Sequence, residues 1–135
     1  MTVSGQHERL VSHIIRWIKD RYSSSGDLCI YADHIDWPSN AKPIQLGGFI
    51  PDVYAVGISI PLTVIGEAET VRSIDGPHAA KQIGAFIDFL IYQKNPILII
   101  AVPWTAVPRA RSLIRNTLRR MGNPLIETVC LERLE

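Results

Sequence analysis

Apolar residues recur along this chain with two different periods. Leu10, Ile14, Ile18 and Tyr22 return every four residues, with Val11 and Ile15 beside them. That spacing predicts a helix over about 6–22 with one buried face, ended by Ser23-Ser24-Ser25 and Gly26. Leu28 to Ala32 reads as a short strand. Residues 35–48 hold Pro38, Asn40, Pro43, Gly47 and Gly48 and predict a loop. Two strands follow, about 49–57 and 62–70, joined by a turn near Ser59. Gly76-Pro77 opens a second helix, with proline in its favoured first-turn position. Ile83, Phe86, Ile87, Leu90 and Ile91 form its buried face, and Asn95-Pro96 closes it. Ile97 to Val102 is a continuous apolar run, as in a strand covered on both faces. A third helix over about 107–121 stops at Gly122, and a last strand over about 126–131 completes the order α-β-β-β-α-β-α-β. Strand, helix and strand in succession predict a right-handed crossover between parallel strands.

The chain is 135 residues long, enough for one domain over 1–135 with a core that needs no disulfide or structural metal. Its two cysteines, Cys29 and Cys130, lack CxxC spacing and read as reduced core residues. The first helix carries Arg9, Arg16, Lys19 and Asp20, unlike a signal peptide, and the longest apolar run is too short to span a bilayer. A cytoplasmic protein without a membrane role is expected.

Chemistry concentrates in Pro51-Asp52 and Thr63-Val64-Ile65-Gly66-Glu67-Ala68-Glu69. Three carboxylates stand in otherwise apolar strands, and a buried charge is costly unless paired or bound to a cation. Opposed residues in a hairpin have a constant sum of numbers. A turn centred between Ser59 and Ile60 therefore sets Asp52 opposite Glu67, with side chains about 5 Å apart. Glu67 and Glu69, two apart, share a face. Oxygen ligands alone suit Mg²⁺ or Mn²⁺ better than zinc.

This pattern resembles the PD-(D/E)xK nuclease superfamily, which includes restriction endonucleases and Holliday-junction resolvases. Pro51-Asp52 matches its PD and Glu67-Ala68-Glu69 its (D/E)xK, with Glu69 where lysine is usual. The resemblance implies a restriction-endonuclease-like αβββαβ core, a mixed sheet flanked by helices, followed here by an added helix and strand. It implies a divalent-metal-dependent nuclease, acting on DNA, with Asp52, Glu67 and the Ala68 carbonyl holding Mg²⁺ or Mn²⁺. Glu69 would add a ligand or orient the attacking water. Glu8 of the first helix would approach the metal, and Lys81 or Gln82 of the second helix would reach the site, Lys81 restoring the missing positive charge. His78 lies in the same region.

Ten of the fourteen basic residues are arginines, and five of these, Arg109, Arg111, Arg115, Arg119 and Arg120, fall in the third helix. Arg111, Arg115 and Arg119 line one face. With no acidic residue in 103–126, these arginines lack local partners and offer a phosphate-binding surface. Trp37 and Trp104 fall in loops, where each is either a base-stacking platform or a packing anchor. So small a chain leaves little room for a target-recognition domain, so a homodimer or a partner protein is expected. Two other readings are an inactive nuclease-fold subunit, which the Glu69 departure keeps open and the presence of Asp52 and Glu67 argues against, and a small-molecule-binding α/β protein, for which no Gly-rich phosphate loop is present.

Overall fold

A computed structural model describes residues 3–22 and 28–134, with side chains from residue 5. The first helix, α1 (Val3–Tyr22), buries Leu10, Val11, Ile14, Ile15 and Ile18. The expected stop at Ser23–Gly26 lies outside the described residues. Strands β1 (Leu28–Ala32), β2 (Val53–Gly57) and β3 (Thr63–Ala68) form an antiparallel meander. Helix α2 (Pro77–Leu90) leads to β4 (Pro96–Pro103), which lies parallel to β3. Helix α3 (Val107–Arg120) leads to β5 (Glu127–Arg133), parallel to β4. The chain is thus α/β, with one mixed five-stranded sheet in the spatial order β1-β2-β3-β4-β5.

Side-chain alternation along the strands divides the core into two layers. Val64, Ile97 and Ile99 pack against α1, while Ile65, Leu98 and Ile100 pack with Ile83, Phe86 and Ile87 of α2 and Ile114 of α3. The unbroken apolar run of β4 is therefore buried on both faces.

Several boundaries differ from the sequence reading for identifiable reasons. β2 begins at Val53 and not at residue 49, because Pro51 has no N–H and the Asp52 side chain takes the Ala68 N–H that would extend the ladder. The 46–49 segment instead forms a tight turn, closed by Leu46 N–H to Phe49 O at 2.6 Å and built on Gly47 and Gly48 at positive φ. Helix α2 ends at Leu90, so Ile91 falls outside the buried face and is 39% exposed. Cys29 and Cys130 are free, as expected, but each is half-buried in a terminal strand and neither is a core residue.

Candidate functional site

The β2–β3 hairpin determines the geometry of the acidic patch. Val53 opposes Gly66 and Val56 opposes Thr63, so the register, carried one residue further, sets Asp52 opposite Glu67. Gly57 N–H donates to Leu62 O at 2.9 Å to close the turn. Only glycine fits at 57, because a Cβ there would meet Ile60 O at 2.1 Å. The hairpin ends at the edge of the apolar layers, yet its carboxylates are enclosed: Asp52 is 7%, Glu67 3% and Glu69 5% exposed.

Asp52 is held on three sides. Its Oδ2 accepts the Ala68 N–H at 2.8 Å and lies 3.2 Å from His7 Nε2 on α1, and its carboxyl hydrogen-bonds that of Glu67. Burial pushes the Asp52 pKa up, but the hydrogen bonds from Glu67, His7 and the Ala68 N–H outweigh it and hold the group below its ordinary 3.8. Glu67 moves the other way. Burial first, then the bond to Asp52 and the charges of Asp52 and Glu69, raise it well above 4.5. Its Oε2 is buried without a hydrogen-bond partner. Glu69 is raised chiefly by burial, opposed by a hydrogen bond from Ser73 and by the fields of His78 and His7. The His7 pKa is raised, mainly by its bond to Asp52.

Glu8, the α1 residue singled out from the sequence, points elsewhere. Its carboxylate lies 3.2 Å from His34 Nε2 and accepts the Ile35 N–H at 3.1 Å. His34 Nδ1 accepts the Asp36 N–H at 3.0 Å, which leaves the proton of a neutral ring on Nε2, facing Glu8 and Ser12 Oγ. Glu8 thus ties α1 to the segment after β1, and His7 is the α1 residue in contact with Asp52. The sequence carries a signal for this: His7 precedes Leu10 and Val11 by three and four residues and so extends the buried stripe. On α2, Lys81 is exposed and Gln82 half-buried. Among the described residues no hydrogen bond or ion pair joins either to the three carboxylates. His78, in the first turn of α2, packs edge-on against Phe49 and adds to the field at Glu69.

The chemistry of this donor set fits a hard divalent cation. Asp52 and Glu67 supply oxygen, and the buried Glu67 Oε2 has an open lone pair. Among the described residues no group of three or more His, Cys, Asp or Glu side chains is arranged to hold a metal ion. Mg²⁺ commonly takes only one or two carboxylates, completing its shell with water and substrate phosphate oxygens.

Arg111, Arg115 and Arg119 are exposed along α3. The arginines of this helix have no acidic residue near them in sequence, but Arg109 finds a distant partner in Asp75, from the short 3-10 turn before α2. Arg111 and Arg115 instead border a groove of about 400 Å³ between α3 and β5, floored by Ile114, Leu118 and Cys130. Trp104 follows β4 directly, 53% exposed, at the end of the sheet where Glu69 N–H meets Ala101 O. Trp37 is a packing residue against the α1 layer, with Lys19 Nζ 5.3 Å from its ring centroid. No helix among the described residues is long and apolar enough to cross a membrane. Comparison of the chain with protein-family models, with curated proteins and with solved structures finds no match.

Proposed function

We propose that this chain is a divalent-metal-dependent nuclease of the PD-(D/E)xK type that hydrolyses phosphodiester bonds in DNA. The observation that carries the reading is the enclosed Asp52–Glu67 pair, opposed across the hairpin and with Glu67 Oε2 unsatisfied. An apolar pair would serve a purely structural role better, since desolvated carboxylates cost stability. The order of elements from α1 to β4 is the αβββαβ order of the superfamily that the motif resembles.

In this reading Asp52, Glu67 and the Ala68 carbonyl would hold Mg²⁺ or Mn²⁺. The bound ion supplies Lewis-acid polarisation of the phosphate and a more acidic attacking water. The Ala68 N–H and His7 keep Asp52 oriented. Glu69, on the same face as Glu67, accepts a proton from the attacking water or helps hold a second ion. Arg111, Arg115 and Arg119 bind backbone phosphates. A homodimer, or a partner protein, presents both strands of a duplex.

A second reading, an inactive nuclease-fold subunit that binds nucleic acid, is favoured by one observation. The position where lysine is usual is the buried carboxylate of Glu69, and Lys81 is exposed. Cleavage of linear, flapped and branched DNA with Mg²⁺ or Mn²⁺ separates the two. The nuclease reading expects wild-type cleavage that Asp52→Asn and Glu67→Gln abolish and that Glu69→Gln lowers by about a hundredfold. Cleavage by Glu69→Lys alone would establish the inactive subunit.

A further inference from the structure

Among the described residues β5 is the last strand of the sheet, hydrogen-bonded to β4 alone. Its outer edge is seven residues long, with no proline or glycine to blunt it. The opposite margin of the sheet differs: in β1 the Ala32 N–H already donates to Ala41 O at 3.0 Å, so the following loop covers that edge.

The sequence of β5 is symmetric in charge about its middle residue. Glu127 and Arg133 lie three residues to either side of Cys130. They fall on the same face as Val129 and Leu131, which pack towards α1. If two copies of the strand run antiparallel about Cys130, Glu127 stands opposite the partner's Arg133, and Arg133 opposite the partner's Glu127. Thr128 then faces the partner's Glu132, and Val129 the partner's Leu131. Opposed side chains of this kind are in direct contact. A shift of two residues either way loses both charge pairs, and a parallel arrangement sets glutamate beside glutamate. Leu125 and Leu134, 97% and 82% exposed, flank the strand at its two ends. The same register sets Leu134 opposite the partner's Ile126, beside the partner's Leu125.

We propose that the outer edge of β5 is a homodimer interface, in which two copies pair antiparallel about Cys130 and join their sheets into one. This rests on the strand alone and stands apart from the nuclease reading. Glu127 also pairs with Arg21 of its own chain at 3.1 Å, so the dimer adds a second cation to that carboxylate on the α1 side.

The test is sedimentation equilibrium of the full chain over micromolar concentrations, with charge-reversal variants. A concentration-dependent dimer is expected. Glu127→Arg and Arg133→Glu should each weaken it by roughly tenfold, since two like-charged pairs replace two complementary ones. The double variant should return to within about threefold of wild type, a restoration that a folding defect cannot produce. In a Cys29→Ser background, where Cys130 is the sole thiol, a short bismaleimide should cross-link two chains, and adding Glu127→Arg should suppress the product. A monomer throughout, single variants with unchanged affinity, a double variant no better than the singles, or a dimer that does not cross-link through Cys130 would each overturn the proposal.

Discussion

Asp52 and Glu67 stand opposite each other one residue beyond the β2–β3 ladder, both enclosed. Their charges oppose each other in an enclosed site, so the pair resists full ionisation. Asp52 is the better-solvated partner, with the Ala68 N–H and His7 as donors. Glu67 has a buried oxygen with no donor, so burial raises its pKa while that of Asp52 is lowered.

A dependence of stability on pH follows. Glu67 and Glu69, both raised from 4.5, and His7, raised from 6.5, hold their protons more tightly folded than unfolded. Each contribution is complete below the unfolded value and is lost as pH rises through the folded value. Asp52, lowered from 3.8, acts oppositely, its contribution disappearing as pH falls through its folded value. Denaturant melts of the metal-free protein should therefore show stability falling above pH 4.5, by at most about 1.4 kcal/mol per pH unit for each extra proton held. Glu67→Gln should flatten this slope and be the more stable protein at alkaline pH. A wild-type curve that rises from pH 4.5 to neutrality would contradict the upward shift of Glu67.

Metal binding at the pair should displace a proton from Glu67. Under the proposed function, Mn²⁺ binding at a pH below the folded pKa of Glu67 releases about one proton per ion, because both carboxylates must ionise to act as ligands. Calorimetric titration in two buffers of different ionisation enthalpy measures this directly. Glu67→Gln should weaken binding at least about tenfold and remove the buffer dependence. Tight binding with identical heats in both buffers would locate the ion elsewhere.

On α3, the triple variant Arg111→Ala/Arg115→Ala/Arg119→Ala should lower the salt dependence of duplex binding. For every phosphate that the variant no longer neutralises, the slope of log affinity against log salt concentration falls by about 0.9. Arg109 is left out because Asp75 already engages it. An unchanged slope would reduce the stripe to a solvated face.

Gly66 is a steric test of how α1 approaches the site. A Cβ there would lie 2.6 Å from Ile14 Cγ2 and 3.3 Å from Val53 Cβ. Gly66→Ala should cost about 1–3 kcal/mol in thermal or denaturant unfolding. Combined with Ile14→Ala, the destabilisation should be clearly less than the sum of the two single effects, because the truncated side chain frees the space. Strict additivity would mean that the backbone relaxes instead.

The antiparallel register is legible in the sequence because it depends on local quantities: a turn centred between Ser59 and Ile60, and the period of two in the strands. That suffices to bring Asp52 to Glu67. The buried runs of β3 and β4 are legible for the same reason. What escapes depends on pairings between distant segments. Nothing near Glu8 in sequence announces His34, which draws that carboxylate away from Asp52. Nothing in 103–126 announces Asp75, which engages Arg109. His7 is within reach of helical phase alone, since it continues the stripe of Leu10, Val11 and Ile14, but the acidic residue beside it carries the more obvious metal chemistry.

The strands lie in space in the order in which they are synthesised. Each new strand therefore docks on a margin that already exists, and none has to be inserted between two others. During translation the β2–β3 hairpin, with its carboxylates, can be complete while β4 is still in the ribosome exit tunnel. The cost falls on the last step. Until β5 arrives, β4 is the growing margin, and every residue from Ile97 to Pro103 is one that the finished protein buries. A chain halted after α3 would present that long apolar margin to any other strand it met, and the docking of β5 is the step that covers it.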